Sequence, residues 1–438
     1  NGITLTTGNQ NGSASYDGVI SGTGAALNKR GSGTQTLTGV NTFSGGVTIQ
    51  NGTLSVPSIT TAGVAQPLGA GVTPVVFNGT SGTLAITGSG TTDRGLTLSN
   101  GSSTLSVGGT VNMSGSITGG DSGATFTKAG AGTFNFTGSG SWTGNFQITG
   151  GAFELTGAGS IPGAGVTTLS NAGTSLKINT TGTMQTTRVT IAAGTTVSLE
   201  AGTLRLAGGA LGGSPVYSID NGGSFNWGNG TLAVYGSNTT GVTDRSAPGG
   251  AVTGPAVKEG NYLFVNGSLS QPAGTVLDLG SSYLAEGSVR YNQIQVTGSL
   301  SIAGGASMNF GLNPYFMRPY GYTEDWGTLV LAYAPGGITG SYAFGDLTGI
   351  SSDGIGWTRL GDQTDSFQDP ALLTRNTYQI EYRTGSGAGY NFTQGGGAIL
   401  LHYKLSGTVP EPASAGMLLA GAVLLRVLSR RKPAAFDH

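Results

Sequence analysis

Catalysis needs titratable or nucleophilic side chains brought close together, and this chain holds few of them. It has no Cys, and its two histidines are His402, in the alternating stretch Leu400-Leu401-His402-Tyr403, and His438 near the end. A Ser-His-Asp arrangement would have to use His402, but no Gly-x-Ser-x-Gly elbow in a strand-to-helix context accompanies it, so His402 reads as a structural strand residue. Acidic residues cluster at Glu324-Asp325 and again at Asp362, Asp365 and Asp369 within GDQTDSFQDP. Paired carboxylates can do acid–base work on a glycosidic bond, and oxygen-rich loops can hold Ca²⁺. Neither cluster fits an EF-hand, and Gly119-Gly120-Asp121-Ser122-Gly123 lacks the nonapeptide Gly-Gly-x-Gly-x-Asp order, so these segments read as solvated turns. No catalytic residue, metal ligand or cofactor is assigned. Four tryptophans, Trp142, Trp227, Trp326 and Trp357, would stack on sugars if exposed, but Trp142 aligns with Phe43 in the internal repeat described below and reads as a rung or turn-packing residue. Six Asn-Gly-Ser/Thr triplets begin at Asn11, Asn51, Asn78, Asn100, Asn229 and Asn266. They read as turns first and glycan acceptors second, because Asn and Gly both tolerate positive φ.

The elements that would hold these groups are set by composition. Gly and Pro fill 83 and 15 of the 438 positions, nearly twice the roughly 12% share of an average protein. A helical bundle is excluded, since each interior Gly costs a helix about 1 kcal/mol. Charged residues are 9% and hydrophobic residues 37%, so there is enough apolar surface to bury and too little charge for disorder by repulsion. The net charge of -1, from 19 Lys+Arg and 20 Asp+Glu, supplies no field to attract a phosphate backbone, and nucleic acid is not a partner. Without Cys there is no disulfide framework, Cys-zinc site or thiol chemistry.

Glycines fall irregularly between stretches in which Thr or Ser alternates with an aliphatic or aromatic residue. Val47 and Ile49 alternate with Thr48 and Gln50; after Asn51-Gly52, Leu54 and Val56 alternate with Thr53 and Ser55. This pattern predicts strands of four or five residues with one apolar and one hydroxylated face. Strands so short must stack on neighbours to close a core. An internal repeat indicates how. Lys29 to Val56 aligns without a gap on Lys128 to Leu155, at an offset of 99 and with nine of 28 positions identical. The identities are Lys29/Lys128, Gly31/Gly130, Gly33/Gly132, Thr34/Thr133, Thr38/Thr137, Gly39/Gly138, Gly45/Gly144, Ile49/Ile148 and Gly52/Gly151, while Phe43/Trp142 and Leu54/Phe153 keep their character. Short strands joined by glycine turns and recurring along a chain predict a β-solenoid.

The order Lys-x-Gly-x-Gly-Thr-x-x-x-Thr-Gly, an aromatic, Gly-Gly and Asn-Gly-Thr-Leu resembles the autotransporter-associated β-strand repeat, also called the passenger-associated transport repeat. That resemblance implies coils of a right-handed parallel β-helix. Residues 1–255, wound at roughly 20 per coil, would give about a dozen coils. Beyond Pro255, Tyr and Phe increase and the alternating stretches lengthen, so residues 256–405 read as further β coils ending in a cap. No long series of lipid-facing strands follows, which argues against self-transport through a barrel.

Residues 406–438 differ in kind. Pro410-Glu411-Pro412 precedes an apolar run, 413–428, containing Ala413, Leu418, Leu419, Val423, Leu424, Leu425 and Leu428, and then the basic cluster Arg430, Arg431 and Lys432. The run predicts a short transmembrane helix. Its length as a helix, about 24 Å, is less than the ~30 Å hydrocarbon core. The basic stop would stay cytoplasmic and leave everything before Pro410 outside. This ending resembles the PEP-CTERM sorting signal. The resemblance implies that an exosortase, a membrane-embedded transpeptidase-like enzyme, reads Pro410-Glu411-Pro412 and that the tail is removed; an ordinary C-terminal anchor is the alternative. An export signal would precede Asn1. The expectation is therefore an exported, non-enzymatic, structural or adhesive β-solenoid of the cell surface or biofilm matrix, with exopolysaccharide as a candidate partner. Its rivals are a polysaccharide lyase or hydrolase, and a carbohydrate-binding adhesin.

Overall fold

A computed structural model describes residues 2–207, 216–235, 262–281, 284–285, 288–289, 293–312, 327–342, 347–350, 377–384 and 397–404. All regular structure among them is β-strand, nearly all of it paired in parallel between strands about one coil apart in the chain. Three ladders run side by side, so the chain winds repeatedly over three faces.

On the first face, Thr4–Thr7 pairs with Ala26–Lys29, which pairs with the start of Val47–Val56, then with Val75–Ile86, Leu96–Leu98 and Ile117–Gly119. On the second, Ala14–Tyr16 is followed by Thr34–Leu37, the far halves of Val47–Val56 and Val75–Ile86, and Ser102–Val107. The same ladder continues through Thr125–Ala129, Asn145–Ile148, Val166–Leu169, Arg188–Ile191, Val216–Asn221, Tyr262–Asn266 and Gln293–Val296. The third carries Gly90–Thr92, Thr110–Met113, Thr133–Phe136, Ala152–Gly157, Ser175–Thr186, Thr196–Ala207 and Ser224–Trp227. Successive rungs Leu84, Leu105, Lys128, Ile148, Leu169 and Ile191 lie 20 to 23 residues apart, the coil length expected. The longest strands differ from the expectation. Val47–Val56, Val75–Ile86, Ser175–Thr186 and Thr196–Ala207 have 10 to 12 residues because each rounds a corner. The bends appear as register shifts between Ile49 and Asn51 and between Ile178 and Asn179.

Alternation drives the core. In strand after strand the apolar positions are buried and the hydroxylated ones are not, as in Thr133–Phe136, where Phe134 and Phe136 are buried between half-exposed neighbours. One apolar cluster runs from Leu27 to Ile399. The two repeat copies occupy different faces. Lys29 stands on the first face, in the rung that continues to Ile49 and Phe77. Lys128 stands on the second, in the rung Leu54, Leu84, Leu105, Lys128, Ile148. The second copy has turned one face around the axis, because the offset of 99 residues is not a whole number of coils.

Toward the other end the pattern changes. Gly327–Ala334 and Thr377–Thr384 pair antiparallel with opposite edges of Gly397–Lys404. Within the described residues there is no helix long and apolar enough to cross a membrane. The apolar run 413–428, with Pro410, Glu411, Pro412 and the basic cluster, lies outside the described residues, as do Glu324, Asp325, Trp326, Trp357, Asp362, Asp365, Asp369 and His438.

Candidate functional site: lysine-clamped turns beneath a hydroxyl face

Strand Ala26–Lys29 turns Leu27 and Lys29 inward, so a lysine takes a position that the pattern reserves for an apolar side chain. Lys29 is fully buried. Its Nζ donates to the carbonyls of Arg30 at 2.5 Å and Gly31 at 2.9 Å, in the turn that follows, and of Asn51 at 3.1 Å, in the equivalent turn of the next coil. Lys128 is likewise buried, and it repeats the arrangement. Its Nζ donates to Gly130 at 3.0 Å and Gly132 at 2.5 Å, then to Gly150 of the next coil at 2.6 Å. Each ammonium thus clamps two stacked turns with charge-assisted bonds. Burial pushes both lysines down, Lys128 to about 8; the carbonyl shell opposes that loss of charge.

The glycines of the motif make room for the clamp. Gly52 and Gly151 have φ of +65° and +58°. A Cβ on Gly52 would lie 2.4 Å from the Gly31 carbonyl oxygen and 2.8 Å from Lys29 Nζ, and one on Gly151 would lie 2.2 Å from the Gly132 oxygen. The order Lys-x-Gly-x-Gly followed one coil later by a glycine turn is thus the signature of a caged ammonium.

Other buried polar groups also tie neighbouring coils together. Gln35 donates to the Ala14 carbonyl one coil earlier and accepts from the Thr7 hydroxyl. Arg94, buried and pushed down to about 10 by desolvation, donates from Nε to Thr73 and from Nη1 to Leu68, each at 2.8 Å. It thereby fastens residues 57–74, an excursion held also by Asn41 donating to Pro67 and by Asp93 accepting from the Ala62 amide. Gln271 donates to Ser307 and accepts from the Tyr342 hydroxyl.

Outside the core, the second face carries an in-register column of Thr34, Thr53, Thr83, Thr104 and Thr127, continued by Gln147, Thr168 and Thr190. Charge enters the same face only further on, where Arg188 approaches Asp220 at 4.0 Å. On the third face Asn135 donates to Asn112 and Asn112 to Thr91, a short amide ladder, and further along Lys177 pairs with Glu200 at 3.2 Å. The described solenoid is therefore a neutral, hydroxyl- and amide-bearing surface over much of its length.

Trp142 is buried in an aromatic cluster, 5.4 Å from Phe126 and 5.6 Å from Phe146, so it is a rung and not a sugar platform. Trp227 is buried with its indole N–H donating to Gly230. His402 lies in strand Gly397–Lys404, in register with Thr328 and Gln379. Asp121 is an exposed turn residue whose carbonyl accepts from the Ala124 amide. No group of three or more metal-ligating side chains occurs among the described residues. Asn11, Asn51, Asn78 and Asn100 all occupy the corner between first- and second-face strands, and Asn11 itself has a φ of 62°. The clamps Lys29 and Lys128 were visible only as an identity between the copies.

The Passenger-associated-transport-repeat family model matches residues 27–56 and 126–155. These two segments, about a seventh of the chain, hold the two lysine clamps. No curated protein and no solved structure matches the chain.

Proposed function

We propose that this protein is an exported structural or adhesive element of the cell surface or extracellular polysaccharide matrix. The observation that carries the reading is the three-faced parallel ladder with passenger-type repeats built into it, a scaffold that presents a long uncharged surface of hydroxyls and amides. Such a surface suits many weak contacts with a neutral exopolysaccharide, in which avidity replaces a deep pocket. Its crossovers are right-handed, as parallel connections overwhelmingly are, and the antiparallel strands Gly327–Ala334, Thr377–Thr384 and Gly397–Lys404 act as the cap that ends the column.

Delivery rests on the tail. An exosortase-type membrane enzyme reads Pro410-Glu411-Pro412. The two prolines keep that stretch out of the following helix, Ala413 to Leu428 lodge briefly in the inner membrane, and Arg430, Arg431 and Lys432 hold the orientation. Mass spectrometry of the mature carboxyl terminus from native cells, with protease shaving of intact cells, tests this. The expected result is a chain accessible from outside and ending before Leu424. A terminal peptide that still contains Leu424 would instead make the tail a permanent anchor.

A further inference from the structure

We propose that the buried lysines are register keys, setting which residue of one coil stacks on which residue of the next. The apolar rungs alone do not settle this. Sliding a coil by one residue turns its core outward, but a slide by two keeps every apolar side chain inward. Beside the rung Leu54, Leu84, Leu105, Lys128, Ile148 and Leu169, the inward position two residues earlier in the two coils that meet at Lys128 is Phe126 and Phe146, so a slide by two sets Phe146 against Lys128 or Ile148 against Phe126. Such a slide exchanges one hydrophobic contact for another.

The ammonium responds differently. Lys128 Nζ takes two carbonyls, Gly130 and Gly132, from its own turn and a third, Gly150, from the next coil. Lys29 draws Arg30 and Gly31 from its own turn and Asn51 from the next. A two-residue slide moves the neighbouring carbonyl by about 6.8 Å, out of hydrogen-bond reach, and leaves a buried charge short of an acceptor. That penalty exists only in the wrong register. The same geometry on two different faces separates this role from any local feature of one face. Lys128→Met relieves the desolvation of a buried charge but takes a donor from the Gly130, Gly132 and Gly150 carbonyls, a loss that the apolar rungs can bear, so the proposal assigns the lysines specificity and assigns most of the stability to the rungs.

The absence of native cysteine makes the test direct. Thr127 and Gln147 are in-register partners on adjacent coils, and Thr127 with Asn145 and Thr125 with Gln147 are the two diagonals reached by a slide of two. Cysteine pairs are introduced at these positions in the full chain, with Lys128 or with Lys128→Met, and oxidised after refolding. With Lys128 present, the Thr127→Cys/Gln147→Cys pair closes and the diagonals do not. With Lys128→Met, the yield of a diagonal disulfide rises at least fivefold while circular dichroism still reports the strand content. Around Lys29, Asn28 with Thr48 is the in-register pair and Ala26 with Thr48 the diagonal. Diagonal yields unchanged in both lysine variants would overturn the proposal. So would loss of the fold in both, since the clamps would then be supports and not keys.

Discussion

At the scale of single residues, Lys128 links the repeat motif to a measurable pH dependence. Its ammonium is held lower than a free lysine, at about 8 against 10.5, because burial disfavours the charged form. Below pH 8 the folded and unfolded chains carry the same proton there, so this group contributes no slope. Between pH 8 and 10.5 the unfolded chain keeps a proton that the folded one has released, and stability therefore rises with pH, levelling off above the unfolded value. The gain from this group is at most about 3 kcal/mol. Urea unfolding across pH 7.5 to 10.5 should show the rise in the natural protein and a flatter profile in Lys128→Met; equal slopes would place the titration elsewhere. The glycine opposite the clamp gives a contrasting test. Gly151→Ala adds a Cβ 2.2 Å from a carbonyl oxygen at a φ of +58°, so it should cost more than about 2 kcal/mol. Gly123→Ala, with nothing within 4 Å of the new Cβ, should change the urea midpoint within error.

At the scale of the element, the aromatic layer under the second repeat shows what short strands gain by stacking. Phe126 and Phe146 are in-register neighbours with rings stacked at 5.6 Å, and Phe146 meets Phe153 edge-on at 4.8 Å across the core. Phe146→Ala removes the ring common to these contacts and should cost about 3–5 kcal/mol, read as a lowered urea midpoint with the strand content by circular dichroism retained. Much of this layer was legible beforehand. Alternation placed Val47, Ile49, Leu54 and Val56 in the core, and the pairing of Phe43 with Trp142 marked an inward aromatic position. Three features were not legible, each for a physical reason. The corner inside Val47–Val56 is a register shift within a continuous strand, whereas Asn51-Gly52 reads as a break between two. The clamps are made of backbone carbonyls, which no side-chain pattern records, so a lysine among apolar positions looks like a surface residue. The rotation of the second copy onto another face depends on the length of every intervening coil, including the excursion at 57–74 fastened by Arg94, and residue identity does not encode that sum.

At the scale of the whole molecule, the ladders make each coil depend on its two neighbours and on little else, so stability is close to a sum of coil and interface terms. Thr104 tests this. It sits in the middle of Ser102–Val107, paired with Thr83 on one side and Thr127 on the other. Its side chain faces away from the core. Thr104→Pro would remove a backbone N–H from a central strand and set a ring against the adjoining chain, a local cost of about 3 kcal/mol or more that empties no apolar rung. In a globular domain of one cooperative core, such damage would lower a single transition. Here the coils before Leu98 and those after Thr125 keep their own rungs and their own clamps, at Lys29 and Lys128, while the ladder between them is broken. Calorimetry of Thr104→Pro should therefore resolve two transitions where the natural chain shows one, and hydrogen exchange should lose protection in 102–107 while 26–37 and 145–155 keep theirs. A single transition shifted as a whole, with protection lost evenly from Leu27 to Ile191, would mean that the column folds as one indivisible core.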